Sequence, residues 1–117
     1  MKANVLKEKS YAFSIRIVKL YQYMCAELKE YILGKQLLRS GTAIGALIHE
    51  GEFAQSKPNF INKLSIALKE ANETPYWLNI LYDTNYLKME LYESLKTDNE
   101  EIIKLLVASI KTAKSNK

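Results

Sequence analysis

Proline and glycine are scarce: the 117 residues include two prolines and four glycines. A β-sandwich or barrel needs turn residues every ~8–12 positions, so this chain has few turns and long elements, and helices are favoured from the start. Long apolar runs are missing as well. The stretch from Ile102 to Ile110 is broken by Lys104 and Ser109, far short of the ~18–20 residues that span a bilayer, so no membrane partner is expected. Lys2, Lys7, Glu8, Lys9 and Arg16 interrupt the N-terminal segment, and no apolar core of a secretory leader follows, which makes the cytoplasm the expected location. The single cysteine, Cys25, cannot form an internal disulfide; beside Met24 on a helical apolar face it reads as packing in a reducing compartment. The single histidine, His49, leaves no histidine-based zinc cluster within one subunit. No metal or cofactor is expected.

What is present fits one ordinary globular domain over residues 1–117, with 48% hydrophobic and 26% charged residues. The net charge of +4 comes from 17 basic and 13 acidic residues, and its distribution matters more than its total. Lys2, Lys7, Lys9, Arg16 and Lys19 face only Glu8 near one chain end, and Lys111, Lys114 and Lys117 face no acid at the other. Between Asp83 and Glu101 the balance reverses, with Asp83, Glu90, Glu93, Asp98, Glu100 and Glu101 against Lys88 and Lys96. Opposed poles of this kind suit self-association and the binding of a polyanion.

Apolar spacing divides the chain into four helices. Phe13, Ile17, Leu20, Met24, Leu28 and Tyr31 share one face, which predicts a first helix from about Asn4 to Glu30, ended by Gly34 in a left-handed cap. Leu37, Ile44 and Ile48 predict a second from Lys35 to about Gln55. Within it Gly41 and Gly45 align on a stripe built for close approach to another helix or subunit, since glycine in a helix interior costs ~1 kcal/mol against alanine. Ser56-Lys57-Pro58-Asn59 reads as an N-cap and first turn. From there Phe60, Leu64, Leu68, Ala71, Leu78 and Leu81 carry a third helix to about Asn85, kinked rather than ended by Pro75, which strains the carbonyl of Ala71. Tyr86 to Lys96 reads as a loop with at most a short helical turn. Thr97 or Asp98 with Glu100 or Glu101 forms a capping-box pattern that opens a fourth helix, with Ile103, Leu106, Ile110 and Ala113 on its apolar face. Short connections make the up-down-up-down antiparallel four-helix bundle the simplest all-α topology.

Candidate chemistry is thin. Gly41-Thr42-Ala43-Ile44-Gly45 lies in a helical stretch without the lysine of a phosphate loop. Ser40 and Thr42 stand too far from His49 along a helix, more than ~10 Å, to form a nucleophile and base. Glu50 and Glu73 lie near the apolar seam, but the paired Glu-x-x-His motifs of diiron bundles are absent. A polar network of Arg39, Glu50 and Glu73, with Arg39 reaching Glu73 across the bundle, is the expected role, and no catalytic residue is expected. Eight tyrosines and Trp77 exceed what so small a core holds, so some, Tyr76 and Trp77 among them, are expected at an interface or stacked on bases.

The run from Gln36 to Gly51, with Ile48, Glu50 and Gly51 at its end, is followed by Ile66 to Thr74 and then Tyr76-Trp77-Leu78. Together these resemble the four-helix-bundle proteins encoded in intervening sequences of bacterial large-subunit ribosomal RNA genes. The commoner pattern of that family has proline and asparagine where Gly45 and Leu47 stand. The resemblance implies a ring-like homopentamer. It also implies kinship with the accessory variability protein of diversity-generating retroelements, a basic pentamer that binds nucleic acid and a reverse transcriptase. The expected function is therefore a non-enzymatic oligomeric adaptor for RNA or DNA and a nucleic-acid-processing protein. Lys7, Lys9, Arg16, Lys19, Lys111 and Lys114 are the expected phosphate contacts. The alternative is a protein scaffold that binds no nucleic acid, with Gly41, Gly45 and the tyrosines between subunits.

Overall fold

Four helices account for nearly all of the chain in the computed structural model, which describes residues 2–116 and the side chains of residues 5–116. They are α1 (Lys2–Glu27), α2 (Leu33–Glu52), α3 (Lys57–Asp83) and α4 (Met89–Ser115). Each packs against its neighbours in sequence, and α4 returns to α1, while among the described residues the diagonal pairs do not bring their backbones close. Gly41 of α2 lies against Ile17, and Gly45 against Ser10 and Ser14. The α2 number rises as the α1 number falls, so these two helices run antiparallel. Ser40 with Thr74 and Glu50 with Lys63 give the same sense for α2 and α3. Asn79 with Tyr92 and Ala71 with Asn99 give it for α3 and α4. The result is an antiparallel four-helix bundle measuring 50 × 22 × 20 Å.

The core repeats at 3.5 residues. In α1 it takes Leu6, Ser10, Phe13, Ile17, Leu20 and Met24, in α3 Leu64, Ala67, Ala71, Thr74, Leu78 and Leu81, and in α4 Tyr92, Leu95, Asn99, Ile102 and Leu106. Alternating steps of three and four keep one seam of each helix on its neighbours, as in coiled coils. At mid-bundle Ser40, Gly41, Ala71, Thr74 and Asn99 are all buried, and these small or polar residues let the helices approach around Ile17.

Three sequence expectations change. Gly34 does not end the first helix; it is buried in the first turn of α2, where a Cβ would come within 2.9 Å of Met24 Cε and 3.3 Å of Tyr21 Cδ1. Its role is close approach, and the left-handed residue of that connection is Lys29, at φ 55°. The turn is fixed instead by Glu30, whose carboxylate accepts from the N–H groups of Ile32, Leu33 and Gly34 at 3.2, 2.5 and 3.0 Å. This satisfies donors that a helix start leaves unpaired. Tyr31, assigned above to the first core face, is instead 53% exposed in the connection.

The fourth helix begins at Met89, not at a cap near Asp98. Thr97, Asp98, Glu100 and Glu101 lie inside it, and Tyr92 and Leu95 already belong to its buried face. That face is centred on Ile102 and Leu106, with Ile103 and Ile110 at its edge. By contrast Ser56 caps α3 as expected, its hydroxyl accepting from Asn59 N–H at 3.2 Å, and α3 continues through Pro75 to Asp83. It ends in a Schellman turn, with Asn85 at φ 72°, Tyr86 N–H on Leu81 O at 2.8 Å and Asn85 N–H on Tyr82 O at 3.1 Å.

Candidate nucleic-acid interface

Antiparallel packing brings the start of α1, the end of α2, the start of α3 and the end of α4 to one end of the rod. The second half of α4 carries Lys104, Lys111 and Lys114, all exposed, whereas its first half carries Glu90, Glu93, Glu100 and Glu101. Glu90 in the first turn and Lys114 in the last complement the helix dipole. Lys57 at the start of α3 joins the same pole. Among the described residues, Lys57, Lys104, Lys111 and Lys114 have no carboxylate partner. Lys117, and the side chain of Lys2, lie outside the described residues.

The six expected phosphate contacts do not form one patch. Lys7 pairs with Glu52 at 2.8 Å, Lys9 with Glu101 at 3.2 Å and Arg16 with Asp98 at 2.6 Å. Arg16 also donates to Ser94 Oγ at 3.0 Å. These three cations bind α1 to α2 and α4, which neutralises much of their charge. Lys19 is exposed but lies twelve residues, about 18 Å, up α1 from Lys7. Of the six, Lys7, Lys111 and Lys114 lie at this end of the rod, and Lys7 is already paired with Glu52. Lys57 was missed because it stands mid-chain and reaches this pole only through folding, and Lys104 because it directly follows the acidic stretch that ends at Glu101.

The polar network divides. Arg39 bonds both Glu70, at 3.2 Å, and Glu73 across the α2–α3 seam, with its own side chain 49% exposed. Trp77 Nε1 donates to Glu73 Oε2 at 2.8 Å. The Trp77 hydrogen bond, with help from Arg39, holds the Glu73 carboxyl below its ordinary value. Glu50 takes no part and pairs with Lys63 at 2.9 Å. Lys63 and Glu73 are ten residues apart on α3, about 15 Å, so the two glutamates do not make a carboxylate pair. This network sits at the surface of the seam rather than in the core.

Gly41 is buried against Ile17, and Gly45 lies over Ser10 and Ser14, so the glycine stripe joins α2 to α1 within one chain. Tyr76 is 59% exposed and meets Trp77 edge to face at 5.0 Å. On the outer side of α1, Tyr11, Ile15 and Val18 form an exposed apolar stripe. His49 is exposed and lies edge-on to Phe53 at 5.2 Å. Among the described residues no group of three or more His, Cys, Asp or Glu side chains is placed to hold a metal ion, and no helix is long and apolar enough to cross a membrane.

A small antiparallel helical bundle with charged poles is the class these features define. Residues 2–108 match the model of the 23S rRNA-intervening sequence protein family, and the chain belongs to that family. A crystal structure of a protein of unknown function from the S23 ribosomal protein family of Bacteroides thetaiotaomicron is 58% identical. The likeness covers 95% of this chain and 99% of that one, with a TM-score of 0.93. No curated protein matches the chain. Neither the family nor this neighbour indicates an enzymatic class.

Proposed function

We propose that this chain is a non-enzymatic, self-associating adaptor of the cytoplasm that docks structured RNA through its lysine pole. The observation that carries the reading is that Lys57, Lys111 and Lys114 stand at one end of the rod, with Lys104 about 10 Å nearer its middle along α4, all without carboxylate partners among the described residues. Cations not already paired attract phosphates by releasing the counterions condensed on a nucleic acid. Self-association into a ring, as the family resemblance implies, would repeat the pole around an axis and multiply its affinity. The exposed Tyr11, Ile15 and Val18 of α1 offer apolar area for such contacts. A nucleic-acid-processing protein is the expected further partner.

A second reading, a protein scaffold without nucleic-acid affinity, draws support from the internal ion pairs of Lys7, Lys9 and Arg16. Fluorescence anisotropy against a structured RNA and a matched duplex DNA, with light scattering for subunit number, separates the two. Salt-sensitive RNA binding by an oligomer supports the adaptor; an oligomer that binds neither nucleic acid at low salt supports the scaffold.

A further inference from the structure

At the lysine pole residues of all four helices line a half-open cavity of about 390 Å³. Its walls are Leu6, Ile48, Phe60, Leu64 and Ala113, with Lys57 and the Lys7–Glu52 pair among the residues that line it. Ser109 lines it as well, and its hydroxyl is buried without a hydrogen-bond partner. Asn116, also lining the cavity, lies seven residues beyond Ser109, about 10 Å along the axis of α4. The space is therefore elongated, with the volume and mostly apolar lining of a small-molecule site.

The lining specifies the ligand's chemistry. Apolar walls, aliphatic apart from Phe60, favour methylene groups over the polar edges of a nucleobase. At the mouth Lys7 already shares its charge with Glu52 at 2.8 Å. Lys57 bonds instead to the backbone carbonyl of Asn116, a neutral acceptor. Among the described lining residues this leaves one positive charge without a carboxylate, complementary to a single anionic head group. We infer that the cavity binds a free medium-chain fatty-acid anion, its chain between Leu6, Ile48 and Leu64 and its carboxylate on Lys57.

The inference goes beyond nucleic-acid docking, and its test contains no nucleic acid. Calorimetric and NMR titrations with octanoate are compared with octanol, which has the chain without the charge, and with acetate, which has the charge without the chain. The expected result is saturable one-to-one binding of octanoate, about tenfold weaker binding of octanol and none of acetate. Lys57→Gln is expected to bring octanoate down to the level of octanol. Ala113→Phe fills the cavity and is expected to abolish binding while the protein still melts cooperatively; if that variant fails to fold, Ser109→Leu narrows the same space. Absence of saturable octanoate binding overturns the inference. Undiminished binding in the folded filling variant overturns it too, as does binding only to phosphatidylglycerol vesicles.

Discussion

Asn99 of α4 donates its side-chain amide to the carbonyl of Ala71 on α3 at 2.9 Å, and this is the carbonyl that Pro75, lacking an N–H, leaves without its helical donor. Asn99 is fully buried. A polar residue in the core of one helix thus compensates a proline in the next, and the pair fixes the register of α3 against α4.

The two positions should therefore be coupled. Asn99→Ala strands a buried carbonyl and is expected to cost about 2 kcal/mol in urea denaturation. In a Pro75→Ala background the restored N–H serves Ala71, and the cost of Asn99→Ala should fall by about 1 kcal/mol or more. Equal costs in the two backgrounds would show that Asn99 does not compensate the proline.

Gly41→Ala gains helix propensity worth ~1 kcal/mol but places a Cβ 3.0 Å from Ile17 Cγ1 and 3.1 Å from Cγ2. Ile17 is fully buried, so it has little room to yield, and a net loss of about 1–3 kcal/mol is expected. In an Ile17→Ala background, which lacks both γ carbons, the further cost of Gly41→Ala should fall. A Gly41→Ala protein that melts higher than the parent would contradict the close approach.

Glu30→Ala removes the acceptor of three N–H groups at the start of α2. A loss of about 1–2 kcal/mol is expected, the size of a helix cap, and hydrogen exchange at Leu33 and Gly34 should speed up. Unchanged exchange there would count against the cap.

The lowered Glu73 carboxyl value has Trp77 as its largest cause. A carboxylate whose folded value lies below its unfolded one contributes stability above the unfolded value, and that contribution is lost as pH falls through the folded value. Trp77→Phe should move the Glu73 titration, followed by carboxyl NMR, upward toward the ordinary carboxylate value and shrink the acid-side loss. An unmoved titration would show that the indole does not control this group.

The second and third helices could be read directly from the sequence. Leu37, Ile44 and Ile48 are all buried, and Ser56 caps as its position dictates. The first half of α4 was hidden because Asn99 occupies a core position and interrupts the apolar run, leaving Thr97 or Asp98 with Glu100 or Glu101 to mimic a cap. Glu30 escaped notice because a glutamate capping from beyond the helix start is not the usual short side chain at the N-cap. Charge along the chain indicated two poles, but not which cations were already engaged. The partners of Lys7, Lys9 and Arg16 stand on other helices, and only packing brings them together.

The central claim rests on the lysine pole, and the most direct test compares the salt dependence of RNA binding by the parent protein and by a Lys104→Gln/Lys111→Gln/Lys114→Gln variant. Each lysine that meets a phosphate contributes ~0.7–0.9 to the slope of log affinity against log salt. The account predicts a folded variant whose slope is shallower by about two to three. A parent protein that does not bind structured RNA at low salt, or a variant with an unchanged slope, would contradict it.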